Sequence, residues 1–403
     1  MITRARTWGI RFALSLTGSL FALLIGNLLV RELQTELPTV RLVDQTDALR
    51  DLLDSRMASA AERSSTLMET NGIPRLVREP LDRETLGLFF PQAASAEPAV
   101  PGLFYARGAN LEILRPFAEH PDGEFWIRTN SLGMREDDEP SVDKPGLRVL
   151  VTGDSHIDGV CNNSESVPNV LERLSAGSES GDRTEVLNAA AGGYTFYNYL
   201  NVLESYVDLQ PDVFLCIAYG GNDFAGMMQL QRFYAHRPAA PLRSQHGAQV
   251  VAELTAPGLC SQEVSQAIYF QDNPEDEAIS VATCTAVALE MLSLCNERGI
   301  RLIFAYLPPH FRAQPEFYQD ELKQAHELLD LEDSWLEVSD RIADRWLEQL
   351  RELGIETIDL RPALRESDEH AYYRSDRHLN PRGCELVGRA LHAGLRLASP
   401  ASN

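Results

Sequence analysis

The chain has 403 residues, of which 44% are hydrophobic, so it can bury a sizeable core and is not globally disordered. Its formal net charge of −23 argues against binding to nucleic acid or to an anionic lipid surface, because both require basic patches. None of its six cysteines lies in a Cys-x-x-Cys pair, so we expect no structural zinc site.

The first predicted element is an apolar run from Phe12 to Val30, which is long enough to cross the hydrocarbon core of a membrane as a helix. A basic flank precedes it. We therefore predict that residues 1–35 form a cytoplasmic tip and a signal anchor, and that the rest of the chain is periplasmic or on the cell surface. A cleaved signal peptide is the alternative. The run is longer than a usual signal core, and no small-x-small cleavage site follows it.

Residues 36–145 are predicted to form a helical stalk and a small β-containing extension. Asp44–Met68 carries apolar residues at helical spacing between many charges, which is typical of a stalk or packing helix. Short strand-like pieces such as Phe125–Arg128 follow the turn-forming sequence Pro121–Gly123 and indicate β structure within residues 103–134.

From about residue 146 to residue 400, strands alternate with helices, which predicts an α/β domain with a parallel sheet. Its strands are predicted at Leu147–Thr152, Glu185–Asn188, Val213–Ala218, Arg301–Tyr306 and Glu356–Asp359. Its helices are predicted at Val167–Leu174, Tyr197–Val207, Ala282–Arg298, Trp335–Leu353 and Gly383–Leu397. The alternation lapses between about residues 226 and 280. We interpret that stretch as an insertion near the site, where it would shape a substrate cleft.

Parallel sheets of this kind bind ligands beyond the carboxyl ends of their strands, so the loops that follow the strands are the candidates for chemistry. The polar and glycine residues of these loops are Gly153–Ser155, Asn188–Tyr194, Gly220–Asp223 and Asp376–His378. Gly153 permits a sharp turn, and Ser155 then lies where a strand gives way to a helix, a geometry that suits a nucleophile. The alternative is that Asp154 or Ser155 merely caps the next helix.

These loops supply the residue types that acyl transfer needs. A serine hydroxyl becomes a good nucleophile when a histidine takes its proton, and that histidine needs an anchor for its other nitrogen. We predict these roles for Ser155, His378 and Asp376. The negative oxygen of the tetrahedral intermediate needs fixed donors, which the backbone N–H groups of Ser155 and Gly193 and the side-chain amide of Asn222 can supply.

In this combination, the chain resembles the SGNH (GDSL-type) hydrolase superfamily over about its last 250 residues. The four residues that give the family its name map to Ser155, Gly193, Asn222 and His378. The resemblance implies a three-layer α/β/α sandwich with a five-stranded parallel sheet, preceded here by the predicted transmembrane helix and a small α+β extension. It also implies activity on ester bonds, as an esterase, an acyl hydrolase or an O-acetyltransferase, without a metal or another cofactor.

Two features depart from the usual family pattern. The spacing Asp376-Arg377-His378 replaces Asp-x-x-His and is similar to that of alginate O-acetyltransferase-type members. Side chains two residues apart point the same way in an extended loop, so the pair stays feasible. The stretch from Trp126 to Arg135 resembles a segment that precedes the first block in membrane-anchored bacterial members, and we assign it no chemistry.

Several residues are expected to support the loops or to compete for a role. The supporting residues are Asp154, Asn188, Gly221 and Asp223. His156 is expected at the surface or behind the reacting groups, because neighbours on a turn rarely point to the same place. His310 follows the fourth predicted strand and is the rival to His378 as base. In an exported domain a disulfide can form, and Cys260 and Cys284 are the expected pair because both fall in or beside the insertion.

Three functions remain open at this point. The first is a membrane-anchored serine esterase that removes an O-acyl group, with acetyl as the first candidate, from an extracytoplasmic glycan or a small ester. The second is an O-acyltransferase with the same residues, because hydrolysis and transfer differ only in which hydroxyl reaches the acyl-enzyme. The third is a non-catalytic envelope protein on the same scaffold. The expected partners are the acyl ester and the membrane; the sequence leaves the oligomeric state and the acyl chain open.

Overall fold

The structure is a computed structural model. It describes residues 105–144, 146–176, 183–235, 262–329 and 336–395, together with residues 76, 87, 89, 90 and 334. The predicted transmembrane helix at Phe12–Val30 and the predicted stalk helix at Asp44–Met68 lie outside these ranges. The described residues belong to one compact unit of the chain, Ser59–Asn403.

The described part of the domain is built on a five-stranded parallel sheet, as predicted. Its strands are β3 (Gly146–Gly153), β4 (Arg183–Asn188), β5 (Val213–Tyr219), β6 (Arg301–Leu307) and β7 (Glu356–Asp359). Each of the five predicted strands is found within two residues of its predicted ends. The inner strands are buried runs of β-branched, aliphatic and aromatic residues, which is the pattern of a sheet covered by helices on both faces.

Helices connect these strands and cover the sheet. They are α1 (Ser155–Asp158), α2 (Val167–Ser175), α3 (Phe196–Tyr206), α4 (Asp223–Tyr234), α5 (Gln262–Asp272), α6 (Asp276–Arg298), α7 (His310–Ala313), α8 (Gln319–Leu329), α9 (Val338–Glu352), α10 (Arg361–Arg365) and α11 (Pro381–Leu395). The predicted α/β fold of this region is therefore confirmed.

The strand order is β4-β3-β5-β6-β7. β3 comes first in the chain yet lies between β4 and β5, so its two neighbours are reached by connections that run in opposite directions along the sheet. A crevice opens beyond the carboxyl ends of the strands at such a point, and doubly wound folds bind their ligands there. The loops that follow β3, β4 and β5 all emerge at this crevice.

A small antiparallel hairpin precedes the sheet. It consists of β1 (Glu112–Pro116) and β2 (Glu124–Arg128), and β2 buries Phe125 and Ile127 while its other residues face outward. This alternation is what a strand with one covered face requires. The predicted β structure in this part of the chain is present.

Within the described ranges, α6 is the one helix long and apolar enough to cross a membrane by length and composition. It packs against α3, α4 and α9 and carries eleven buried residues, so its apolar character is explained by its place in the core. One of these residues is Cys284, a free and fully buried thiol. Its predicted disulfide partner, Cys260, lies outside the described residues, and the free Cys284 thiol does not support that pairing.

Candidate active site

The turn after β3 places Ser155 at the start of α1. The Asp154 carboxylate caps this helix by accepting a hydrogen bond from the His156 backbone N–H at 2.9 Å. Asp154 thus performs the capping that was the alternative explanation for this sequence. The Ser155 side chain remains partly exposed, and its hydroxyl lies 3.5 Å from Asp154 Oδ2.

The partner of Ser155 is His378, which lies 223 residues further along the chain. The Ser155 Oγ is 2.7 Å from His378 Nε2, and His378 Nδ1 is 2.5 Å from Asp376 Oδ1. Asp376 Oδ1 also accepts a hydrogen bond from the His378 backbone N–H at 3.2 Å. These contacts favour the imidazole tautomer that carries its proton on Nδ1 and presents a lone pair to the serine hydroxyl.

The way in which Asp376 and His378 meet differs from the expectation of an extended loop. Arg377, between them, adopts a left-handed conformation with φ of 70°. This conformation folds the chain so that the Asp376 carboxylate contacts the His378 imidazole. A non-glycine residue in this region costs about 1 kcal/mol or more, and such residues concentrate at functional sites.

The contact between His378 and Asp376 changes the pKa of both groups. Burial alone would lower the pKa of His378, but the hydrogen bond and negative charge of Asp376 raise it above its ordinary value of 6.5. Burial alone would raise the pKa of Asp376, but the hydrogen bond and charge of His378 lower it. Asp376 is therefore ionised at neutral pH, and His378 is a stronger base than a free histidine.

The loop after β4 brings a glycine turn against Ser155. The turn spans Ala191–Tyr194, with a 3.2 Å hydrogen bond from the Tyr194 N–H to the Ala191 carbonyl. Gly193 has φ of 82°, which a residue with a side chain rarely adopts. A Cβ atom built on the neighbouring Gly192 would lie 3.7 Å from the Ser155 Cβ. The predicted donor Gly193 thus sits in a turn whose Gly192 packs on Ser155.

The loop after β5 carries Asn222 at the N-terminal end of α4. The Asn222 Oδ1 is buried and has no hydrogen-bond partner among the described residues. The preceding Gly221 has no room for a side chain, since a Cβ there would lie 2.3 Å from the Tyr219 ring. Asp223 braces the loop by accepting hydrogen bonds from the Tyr219 N–H at 2.7 Å and the Tyr199 hydroxyl at 2.6 Å.

Asn188 joins the second loop to the helix that begins at Ser155. Its Oδ1 accepts a hydrogen bond from the Ala190 N–H at 3.1 Å, and its Nδ2 donates to the Ile157 carbonyl at 3.3 Å. Asn188 is fully buried, as is Asp154. Burial raises the pKa of Asp154 to about 6, against the lowering effect of its hydrogen bond from the His156 N–H.

His156 has a larger part in this site than the sequence indicated. It is buried, and its ring lies between those of Tyr219 and His378, with centroid separations of 3.8 and 4.6 Å. Its Nδ1 accepts a hydrogen bond from the Leu379 N–H at 3.3 Å. Burial lowers the pKa of His156 well below 6.5, and the nearby His378 lowers it further. It therefore stays neutral and supports the loop that carries His378. No pattern in a single sequence distinguishes it from a surface histidine.

His310, the rival base, does not approach Ser155. It is fully buried at the start of α7, with its Nδ1 3.4 Å from Glu263 Oε2 and its ring against Phe311 and Tyr318. Burial lowers the pKa of His310 and raises that of Glu263. Within the ranges described, no group of three or more His, Cys, Asp or Glu side chains is arranged to hold a metal ion.

A family model for an SGNH hydrolase-like domain of the acetyltransferase AlgX matches residues 262–403. Over these residues the chain is similar to an SGNH hydrolase-like domain. The matched residues include Asp376 and His378, with the two-residue spacing, whereas Ser155, Gly193 and Asn222 precede the match. No curated protein matches the sequence.

Three solved structures illustrate what this chain is similar to. A protein described as lipolytic and of the G-D-S-L family, from Desulfitobacterium hafniense DCB-2, is 15% identical over 62% of this chain and 99% of its own, with a TM-score of 0.34. A carbohydrate acetylesterase family member from Sinorhizobium meliloti is 14% identical over 62% and 98%, with a TM-score of 0.35. A catalytic mutant of an acetylxylan esterase from Geobacillus stearothermophilus is 13% identical over 64% and 100%, with a TM-score of 0.38.

Proposed function

We propose that the protein is a serine esterase that removes an O-acyl group, with acetyl as the first candidate, from an extracytoplasmic glycan or a small ester. The observation that carries the proposal is the continuous contact from Ser155 Oγ through the His378 imidazole to the Asp376 carboxylate, at 2.7 and 2.5 Å. A hydroxyl, a base and an orienting carboxylate at these distances are what nucleophilic acyl transfer requires.

In the proposed reaction, His378 Nε2 takes the proton of the Ser155 hydroxyl as Oγ bonds to the ester carbonyl carbon. The oxygen of the tetrahedral intermediate becomes negative and accepts hydrogen bonds from the Ser155 and Gly193 N–H groups and the Asn222 amide. His378 then gives its proton to the departing alcohol, which leaves the acyl group on Ser155. A water molecule, deprotonated by His378, attacks this acyl-enzyme and releases the acid.

The proposed oxyanion donors are supported by the fold. Ser155 and Asn222 follow two neighbouring parallel strands, β3 and β5, on either side of the crevice where the strand order reverses. Gly193 follows β4, on the other side of β3. The turn that packs against Ser155 fits a donor that is held for a ligand.

An O-acyltransferase is the second candidate, and the match to a family model of an acetyltransferase favours it. The first half-reaction is the same, and a sugar hydroxyl replaces water in the second. The third candidate, a non-catalytic scaffold protein, would be favoured by a Ser155 hydroxyl without an imidazole in reach. The 2.7 Å contact to His378 counts against it.

The test is hydrolysis of 4-nitrophenyl acetate by the purified full chain, with Ser155→Ala as the matched variant. We expect turnover by the parent protein and none above background by Ser155→Ala. Equal turnover by the two would overturn the proposal. With an acetyl donor and a glycan acceptor together, acetate as the only product supports the esterase, and an acetylated glycan supports the transferase.

We also propose that the domain lies outside the cytoplasm, anchored by the apolar run at Phe12–Val30. The basic flank before this run supports that orientation. Protease added to intact spheroplasts should degrade the SGNH domain, and full protection of the domain until the membrane is opened would contradict this location.

A further inference from the structure

The segment that precedes the sheet contributes a fully buried arginine, Arg135, to the surroundings of Ser155. None of its side-chain surface is exposed. Its Nε donates a hydrogen bond to Asn163 Oδ1 at 3.1 Å. Its two terminal nitrogens donate to the backbone carbonyls of Asp158, Gly159 and Cys161. Every acceptor of the guanidinium thus belongs to the last residue of α1, the short helix that begins at Ser155, or to the stretch that follows it.

These carbonyls need a partner, because a buried carbonyl without a hydrogen bond is costly, and the carbonyl of Asp158, at the end of α1, has no donor inside the helix. Arg135 satisfies three of them at once with a rigid planar fork, which fixes the path of the chain from Asp158 to Cys161. The Asp158 carboxylate is held from a second direction by a bidentate ion pair with Arg107. The turn that carries Ser155 is therefore held at its far end by two arginines from outside the sheet.

The same segment also holds the loop after β4. The Arg135 backbone N–H donates to the Asn188 carbonyl at 3.0 Å. The carboxylate of the next residue, Glu136, accepts a hydrogen bond from the Asn188 N–H at 2.7 Å. Asn188 is the last residue of β4 and begins the loop that leads to Gly193. Residues 135 and 136 thus contact both the end of the helix that begins at Ser155 and the start of the loop that leads to the proposed oxyanion donor.

We propose that Arg135 is a positioning residue for the acyl-transfer reaction. By fixing residues 158–161, it holds α1 at the angle that keeps the Ser155 hydroxyl on His378 Nε2. This role rests on the proposed function, and it gives a purpose to the stretch Trp126–Arg135, for which the sequence offered none. A displacement of about 1 Å at a reacting group can lower a rate by about 100-fold, so loss of this support should be visible in the rate.

The structure offers a matched control in Arg148. This arginine is 4% exposed and donates from Nε to Glu185 Oε2 at 2.5 Å, with its terminal nitrogens on the carbonyls of Leu209 and Ser141. It lies near the amino end of β3, at the edge of the sheet opposite Ser155. Arg135→Lys and Arg148→Lys therefore both remove a planar fork from a buried site, one beyond the carboxyl end of β3 and one near its amino end.

The experiment measures kcat, KM and the melting temperature of both variants of the full chain, and the rate at which a fluorophosphonate labels Ser155. We expect both substitutions to lower the melting temperature. Only Arg135→Lys should lower kcat, by about tenfold or more, with a parallel fall in labelling rate and little change in KM. The inference is overturned if Arg135→Lys keeps kcat within about twofold of the parent, or if Arg148→Lys loses as much.

Two further arms keep the outcome unambiguous. Ser155→Ala separates the two proposals: if it is as active as the parent, the proposed function fails, whereas an inactive Ser155→Ala with an unchanged Arg135→Lys overturns only the role of Arg135. If Arg135→Lys does not fold, Asn163→Ala removes the acceptor of the Arg135 Nε–H and leaves the arginine in place. It should lower kcat by about threefold or more, and an unchanged kcat would overturn the inference.

Discussion

Replacement of Asp376 by asparagine tests the part of the site in which the sequence is most unusual. The substitution keeps an oxygen that can accept the His378 Nδ1–H and the His378 backbone N–H, but it removes the negative charge. A hydrogen bond to a charged group contributes about 1.5–3 kcal/mol, against about 0.5–1.5 kcal/mol for a neutral one. The imidazolium that forms in the transition state therefore loses about 1.3 kcal/mol, which is about tenfold in kcat/KM.

The assay is the pH dependence of kcat/KM for ester hydrolysis. His378 accepts a proton only when neutral, so the rate should rise with pH and level off above the pKa of His378. Asp376 raises that pKa above 6.5, so the midpoint of the parent enzyme is expected above pH 6.5. In Asp376→Asn the plateau should fall about tenfold, and the midpoint should move to lower pH.

Glu119→Gln is the control for this substitution. The Glu119 carboxylate accepts hydrogen bonds from the Ser375 N–H at 2.9 and 3.1 Å, one residue before Asp376, without contacting His378. It should leave the plateau and the midpoint unchanged. If Asp376→Asn has the same plateau and midpoint as the parent protein, the assigned role of the carboxylate is wrong.

Three further outcomes follow from the geometry. His156→Phe keeps a ring against His378 but leaves the Leu379 N–H without its acceptor, so thermal unfolding should show a loss of about 1–2 kcal/mol and kcat should fall several-fold. Gly193→Ala forces an alanine to φ of 82°, so denaturant unfolding should show a loss of about 1–2 kcal/mol in stability. The substitution should also lower kcat by a larger factor than it raises KM. An unchanged kcat would contradict a role for this turn in the reaction. Burial raises the folded-state pKa of Glu136 to about 8, so the native state binds more protons than the unfolded one between pH 6.5 and 8. The melting temperature should therefore fall as the pH rises from 6.5 to 8, while the activity rises. A melting temperature that rises over this range would contradict the raised pKa of Glu136.

Much of the fold could be predicted from the sequence because its signals are local. Buried strands such as Val213–Tyr219 are continuous apolar runs that end at glycines and polar residues, and this pattern marks both the strand and the loop that follows it. The grouping of Ser155, Asn222 and His378 at one edge follows from parallel strands, since all their carboxyl ends face the same way.

The contacts that support the site could not be predicted, because they join residues far apart in the chain. Arg135 reaches carbonyls 23 to 26 residues away, and nothing in its local sequence separates a fully buried arginine from a solvated one. His156 was expected at the surface or behind the reacting groups, and it proved to be buried against His378. The left-handed conformation of Arg377 is imposed by the packing of its loop, since its own residue type disfavours it.

The interpretation of Cys284 shows a different limit. Its position beside the insertion suggested a disulfide, but its thiol is free and fully buried on α6. Position along the chain indicates which cysteines are neighbours in sequence, and it does not indicate which of them is buried in the core.

The most direct measurement of the central claim is the identity of the residue that a fluorophosphonate labels in the full chain. If the Ser155 hydroxyl is activated by His378, peptide mass spectrometry should find one adduct, on Ser155, and the adduct should be absent from Ser155→Ala and strongly reduced in His378→Ala. A protein that hydrolyses esters while Ser155 stays unlabelled, or that is labelled equally well without His378, would contradict the account.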